Sequence, residues 1–190
     1  MAKRNHKKII GFDLDGVILD HTMNKLQLAR RFGWELKPEQ TPSEAIRRII
    51  PEPVLNQLQG LLYDDPKISL LSPVMRGAKN ALEELRNRHP YFLISRRRNP
   101  QWAVNILKFK RLWPKFFNEK NAFFVTKPED KNKMCLELNV THYIDDELKI
   151  LEELAGVENK ILFDAHNSFP HLTRFRKVGS WKELIDLIRG

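Results

Sequence analysis

The chain lacks what several common protein classes require. It has a single cysteine, Cys135, so no internal disulfide can form and a reducing compartment suits it. Cys135 falls within a predicted helix with no second thiol for a metal site, and a packing role is expected. No apolar run approaches the roughly 18 residues of a membrane span, so no membrane partner is expected. The basic start (Lys3, Arg4, Lys7, Lys8) imitates the head of a secretion signal, but Asp13 interrupts the apolar stretch that follows. A cytoplasmic protein is the expectation. Internal repeats and low-complexity stretches are also missing, and acids are outnumbered by bases, 24 to 33.

That basic excess is unevenly spread. Seven basic residues and no acid lie between Ser95 and Lys115, interleaved with Trp102, Phe109 and Trp113. Such a block suits a nucleic-acid footprint, attraction for a small polyanion, or a solvated helix face whose aromatics point inward. With 42% hydrophobic residues in 190, the chain can build the core of one domain carrying a modest insertion.

Five β-rich apolar runs stand out: 8–13, 91–95, 122–126, 142–145 and 160–164. Helical patterns separate them. One opens at Pro73 and runs through Leu85; one begins at Asn99-Pro100 with Asn99 as N-cap; one contains Lys131–Leu138. Another follows Asp146 and stops at Gly156, and the last begins with the capping box Ser180-Trp181-Lys182-Glu183. Strands alternating with helices predict a Rossmann-like parallel α/β sheet flanked by helices. Ligands in such sheets bind beyond the carboxyl ends of the strands, where Asp13, Ser95 and Asp145 all fall.

Residues 20–72 break the alternation. They hold helical pieces at 22–32 (with Gly33 as its stop), 43–50 (capped at Thr41 or Ser43) and 54–63, punctuated by prolines. The expectation is a small helical cap, 20–72, inserted after the first strand into a core formed by 1–19 and 73–190. Trp34, with Arg30 and Arg31, is a candidate for stacking on and steering a ligand, or else part of the cap's own core.

The most informative stretch is Gly11-Phe12-Asp13-Leu14-Asp15-Gly16. In a strand, Asp13 and Asp15 project to one side and Leu14 to the other. Gly16 then lets the backbone turn sharply. Two acids at the end of a buried strand repel each other and lose solvation. A hard divalent cation such as Mg²⁺ offsets that cost, since it prefers oxygen ligands.

Four pieces align in order: Asp13-Leu14-Asp15-Gly16; Ser95 after Tyr91-Phe92-Leu93-Ile94; a lysine among Lys127, Lys131 and Lys133; and Tyr143-Ile144-Asp145-Asp146. This order resembles the haloacid-dehalogenase-like (HAD) hydrolase superfamily over essentially the whole chain. Ile94-Ser95-Arg96-Arg97, with Lys131, Ile161-Leu162-Phe163-Asp164 and Asn167, resembles its 5′(3′)-deoxyribonucleotidase-like branch.

The resemblance implies a role for each position. Asp13 is the expected nucleophile, giving an aspartyl-phosphate, and Asp15 the general acid and base, with its backbone carbonyl on the metal. Ser95 is expected to donate to a phosphoryl oxygen. Lys131 is expected to counter charge in the transition state, with Lys127, beside Pro128, as the alternative. Asp13, Asp15, Asp145 and Asp146 are the expected Mg²⁺ site. Arg96 and Arg97, with Ser95 and Lys131, are expected substrate contacts, since a guanidinium fork suits oxyanions. His142, His166 and His171 lack ligand spacing and are expected to be structural.

An acid two residues after the nucleophile serves phosphate-ester hydrolysis and disfavours dehalogenases and P-type ATPases. The expected activity is therefore a Mg²⁺-dependent phosphatase acting on a small phosphorylated substrate, foremost a nucleoside monophosphate. The alternatives are a nucleic-acid-end phosphatase using the 96–115 face and a non-catalytic binding protein of the same fold.

Overall fold

Ile10, Gly11 and Phe12 are fully buried and form β1 (Ile10–Phe12), the strand around which the sheet is arranged. The computed structural model describes residues 8–171 and 174–190; Lys3, Arg4 and Lys7 of the basic start lie outside them. The further strands are β2 (Tyr91–Arg96), β3 (Ala122–Val125), β4 (His142–Asp145), β5 (Asn159–Phe163) and β6 (Arg176–Val178). They form a six-stranded sheet in the order β3-β2-β1-β4-β5-β6, and every pairing is parallel. Because the chain runs outward from β1 in both directions, a crevice opens beyond the ends of β1 and β4. Phe12 pairs with Leu93 on one side and Ile144 on the other, which brings Asp13 and Asp145 out at the same level.

Side-chain alternation divides the core into two layers. Phe12, Leu93, Ile144 and Phe163 face α5 (Ala78–Arg86), α6 (Pro100–Phe109) and α9 (Trp181–Arg189). Ile94, Tyr143 and Leu162 face α7 (Pro128–Glu137) and α8 (Leu148–Glu153), with Cys135 buried among them. Each fully buried Leu, Ile or Phe contributes roughly 1.5–3 kcal/mol. Gly11 is required on the second face, since a Cβ there would lie 2.4 Å from the Tyr143 ring.

Between β1 and β2 the chain forms α1 (Thr22–Arg31), a 3₁₀ turn at Pro38–Gln40, α2 (Ser43–Ile46), α3 (Glu52–Asp64) and α4 (Pro66–Ser69). These pack around their own apolar cluster, including Leu28, Ile46, Ile50, Leu58 and Leu62. The chain enters and leaves this segment at one place. Leu19 bridges Val74 in antiparallel fashion, Asp20 N donates to Pro73 O at 2.9 Å, and Met75 N donates to Ile18 O at 2.8 Å.

Several elements differ from the sequence expectations. The helix expected from Pro73 starts at Ala78, because Val74 and Met75 spend their backbone on the pairing with 18–19; Gly77, at φ +87°, opens the helix instead. The helix expected over 43–50 ends at Ile46: Pro51 disfavours helical backbone at Ile50, and the Ser43 hydroxyl donates to Glu147 rather than capping. α8 ends at Glu153, short of Gly156. β6 and α4 were not expected; β6 is a three-residue edge strand, too short and polar to stand out. Asn99 does cap α6, accepting from Trp102 N at 3.0 Å.

Candidate active site

The loop after β1 is held from three directions. Gly16 N donates to Leu19 O and Leu19 N to Leu14 O, both at 2.8 Å. From below, the Trp181 indole donates to Val17 O at 2.9 Å. Gly16 is at φ +81°, and a Cβ there would lie 2.2 Å from an Asp146 carboxylate oxygen. The glycine thus serves both the turn and the approach of the second acidic pair.

Asp13 is fixed through both oxygens. Lys131 Nζ donates to Oδ1 at 2.7 Å, and Asp15 N donates to Oδ2 at 2.9 Å. The same Lys131 reaches Asp145 Oδ2 at 2.9 Å, so one buried ammonium spans two buried carboxylates. Burial alone would lower the Lys131 ammonium, but Asp13 and Asp145 outweigh it and push it well above the ordinary lysine value. Lys127 is exposed at the N-cap of α7 and is not among the residues lining the cavity.

The acidic pair after β4 is under-compensated. Burial pushes the Asp145 carboxyl up to about 7 against the pull of Lys131, with Asp13 and Glu147 adding to the rise. Asp146 is pushed well above the carboxylate range by burial and by Asp145, Glu147 and Asp13, against Lys25. Asp13, Asp145 and Asp146 offer oxygens that all lie within 4.8 Å of one another. An all-carboxylate set in which Asp145 and Asp146 resist ionising without a cation fits a hard divalent ion.

Asp15 stands in the opposite environment. Its Oδ1 accepts from His21 Nε2 at 2.6 Å and from Arg97 Nη2 at 2.5 Å. Burial would raise this carboxyl, but Arg97 and then His21 outweigh it and hold it at about 2. The Arg97 guanidinium lies 5.0 Å from the centre of the Tyr63 ring on α3, a favourable cation–π separation. Ser95 Oγ and Arg97 Nε are buried and make no hydrogen bond, an arrangement costing about 1–3 kcal/mol for each group.

Most of these residues, though neither Ser95 nor His21, line one cavity of about 500 Å³. The core supplies Asp13, Asp15, Arg96, Arg97, Arg98, Lys131, Asp145 and Asp146; α1–α3 and the turn after α2 add Lys25, Arg47, Asn56, Gln59 and Tyr63. Arg47, Arg96 and Arg98 are exposed and have no ionic partner among the described residues. Trp34 is not part of this wall; it packs against the apolar cluster of the helical segment, and Arg30 pairs with Glu35 on the exposed surface. Nor does the basic block form one surface. Arg96–Arg98 turn to the cavity, whereas Lys110 donates to Leu70 O, Lys115 pairs with Glu83, and the Trp102 indole donates to Ser69.

Asp164 and Asn167 lie outside the cavity wall. Asp164 accepts from Ser168 N and Phe169 N, and Asn167 accepts from Lys177. His166 Nε2 pairs with the Thr22 hydroxyl and His142 Nδ1 with that of Thr141. The histidine that touches the site is His21, through Asp15, and no motif of the sequence singled it out. Its one signal is that it directly follows the acidic loop.

The parallel sheet with carboxylates and a lysine converging beyond β1 and β4 defines a HAD-like phosphatase. The family model described as 5′ nucleotidase, deoxy (pyrimidine), cytosolic type C protein matches residues 7–190, and the chain belongs to that family. No curated protein matches the chain. Among solved structures, a HAD-like family hydrolase from Streptococcus pneumoniae is similar at 13% identity and a TM-score of 0.66, covering 96% of this chain and 98% of that one. The putative HAD-hydrolase YfnB from Bacillus subtilis, described as bound to magnesium, aligns at 16% identity and a TM-score of 0.64, covering 97% and 99%. A putative β-phosphoglucomutase from Thermotoga maritima aligns at 18% and 0.61, covering 96% and 98%. At these identities the likeness is one of fold.

Proposed function

We propose that the protein is a Mg²⁺-dependent phosphatase that hydrolyses nucleoside monophosphates through an aspartyl-phosphate. The observation that carries this reading is Lys131, bound at once to Asp13 and Asp145. Lys131 and the Asp15 amide orient the Asp13 carboxylate. One Asp13 oxygen attacks phosphorus as the bond to the leaving alcohol breaks, and Asp15 gives its proton to that alcohol oxygen. Asp15 then takes a proton from water, whose oxygen attacks the same phosphorus. Inorganic phosphate leaves and the Asp13 carboxylate is restored. Ser95 donates to a phosphoryl oxygen, and Lys131 balances the charge that builds there.

Asp13, Asp145, Asp146 and the Asp15 backbone carbonyl would hold the Mg²⁺, which supplies charge neutralisation and orients the phosphoryl group. Arg97 serves two partners in turn. It pairs with Asp15 before substrate arrives; a phosphate dianion competes for its guanidinium and thereby lets Asp15 take up the proton it must donate. The unpaired Arg47, Arg96 and Arg98 at the rim steer anionic substrates inward.

Residues 20–72 act as the cap in this reading, with 1–19 and 73–190 as the core, and Asn56, Gln59 and Tyr63 facing the nucleoside. A small anionic substrate is favoured over nucleic-acid ends because Arg96–Arg98 of the basic block line the cavity, while Lys110 and Lys115 are tied to Leu70 and Glu83. A cytoplasmic setting agrees with the family's description.

The test is phosphate release from ribo- and deoxynucleoside monophosphates, sugar phosphates and phosphorylated oligonucleotides, with and without Mg²⁺. The expected result is Mg²⁺-dependent turnover of mononucleotides that Asp13→Asn abolishes. Turnover that survives this substitution, or a preference for oligonucleotides, overturns the reading.

A further inference from the structure

Asp15 is not free to choose its orientation. Both of its side-chain hydrogen bonds fall on Oδ1, and Oδ2 has no partner among the described residues. An ionised carboxylate has no proton to give, so His21 Nε2 must carry the hydrogen of the 2.6 Å contact. A neutral ring protonated on Nε2 has a lone pair on Nδ1. That nitrogen faces the Ser72 hydroxyl at 2.6 Å, and Ser72 Oγ in turn accepts from Asn24 Nδ2 at 2.8 Å. The direction of every bond follows: Asn24 donates to Ser72, Ser72 to His21, and His21 to Asp15. Asn24 is anchored further by donating to Ile68 O at 2.9 Å.

The links behind Asp15 are buried; His21, Asn24 and Ser72 are 2%, 7% and 0% exposed. The Tyr63 ring meets His21 edge to face, with centroids 5.6 Å apart at 86°, which blocks rotation of the imidazole. Its location matters as much as its order. His21 and Ser72 lie on the two strands by which the chain passes between the core and the helical segment, immediately beyond the Asp20–Pro73 and Leu19–Val74 contacts. One imidazole therefore touches the general acid–base carboxylate and fastens the two crossings to each other.

We propose that His21 is a positioning residue for Asp15, held in register by Ser72 and Asn24, and that it ties the aim of the general acid to the hinge of the cap. His21 touches Asp15 through Oδ1, so its role is to leave Oδ2 presented to the leaving-group oxygen. Arg97 departs toward phosphate when substrate binds; His21 stays, and it is the contact that keeps Asp15 aimed during proton transfer. This inference rests on the phosphatase reading above.

The experiment compares two leaving groups in the full-length protein at saturating Mg²⁺. A nucleoside 5′-monophosphate expels a poor leaving alkoxide and needs the proton from Asp15, whereas 4-nitrophenyl phosphate expels a good one and needs it far less. The parameter kcat/KM reports the steps through departure of the leaving group, so later hydrolysis of the phosphoenzyme does not enter. His21→Ala is expected to lower kcat/KM on the nucleotide by about 30-fold, less than the roughly 10²–10⁴-fold a general acid supplies because Asp15 itself remains. The loss on the aryl phosphate is expected to be at least about tenfold smaller. His21→Gln, which keeps a donor near the Nε2 position, recovers most of the difference, and Ser72→Ala gives a weaker loss with the same substrate bias.

Equal losses on both substrates, or failure of the glutamine to rescue a variant whose unfolding midpoint matches wild type, overturn the proposal. If His21→Ala does not fold, Ser72→Ala carries the same comparison. Absence of turnover in the wild type with either substrate would instead sink the phosphatase reading itself.

Discussion

Two carboxylates of this site, Asp15 and Asp145, are driven in opposite directions. Asp15 is held at about 2 and Asp145 is raised to about 7. Burial acts upward on both, so the difference lies in their partners. Asp15 has a guanidinium and an imidazole to itself, while Asp145 shares one ammonium with Asp13. The side facing the helical segment is over-supplied with cations and hydrogen-bond donors; the side facing the core is short by about the charge of one divalent ion. A cluster of acids is thus not one environment, and the deficit on a single side of it says where a cation belongs.

Removing the shared ammonium breaks the comparison most severely. Lys131→Met leaves Asp13 and Asp145 buried without it, and a loss of about 3–5 kcal/mol is expected in urea unfolding without metal. Turnover should fall about 10²–10³-fold or more. Mg²⁺ should restore much of the stability and little of the activity.

Gly16→Ala attacks the junction between the two sides. The strain of a positive φ costs about 1–3 kcal/mol, and the added Cβ displaces Asp146. Calorimetry should find weaker Mg²⁺ binding along with a lower unfolding midpoint.

A smaller effect sharpens the contrast through pH. The Asp145 carboxyl is raised from 3.8 unfolded to about 7 folded. The folded state therefore holds this proton more tightly, and the stability it confers is full below about 4 and lost as pH rises through about 7. Metal-free wild type should lose stability relative to Asp145→Asn across that window, and saturating Mg²⁺ should erase the difference. Asp15 has the opposite sign: its stabilisation is present above 3.8 and is lost as pH falls toward about 2. An unfolding series from pH 2 to 9 checks both limbs.

The least effect belongs to Lys127→Ala. This lysine is exposed, and its removal should change stability by less than about 0.5 kcal/mol and leave kcat/KM untouched. A large loss there would mean that the motif lysine is not Lys131.

The fold was legible wherever local pattern and tertiary demand agreed. β1, β2 and β4 read clearly because short apolar runs ending in Asp13, Ser95 and Asp145 are buried on both faces. β6 escaped notice because three residues at a sheet edge carry no pattern of their own. The helix expected from Pro73 failed for a different reason: its first residues pair with Ile18 and Leu19, a contact between distant parts of the chain. The acids of the site were visible as motifs. His21 was not, since its meaning depends on Ser72 and Asn24 arriving from elsewhere in the fold. Trp34 shows a residue the sequence left open between two roles, ligand platform and segment core, and only the fold decides it: the side chain packs against the core of its own segment.

The two crossings at Leu19–Val74 and Asp20–Pro73 have a consequence for how such a protein can change. The ends of the stretch between them already touch, so the stretch is a closed loop whose mouth is independent of its contents. Closing a longer loop costs entropy only as the logarithm of its length. Residues can therefore be gained, lost or exchanged inside it without moving the strands that carry Asp13, Ser95 and Asp145. The helical segment over the cavity is the part of the molecule whose rewriting disturbs folding least.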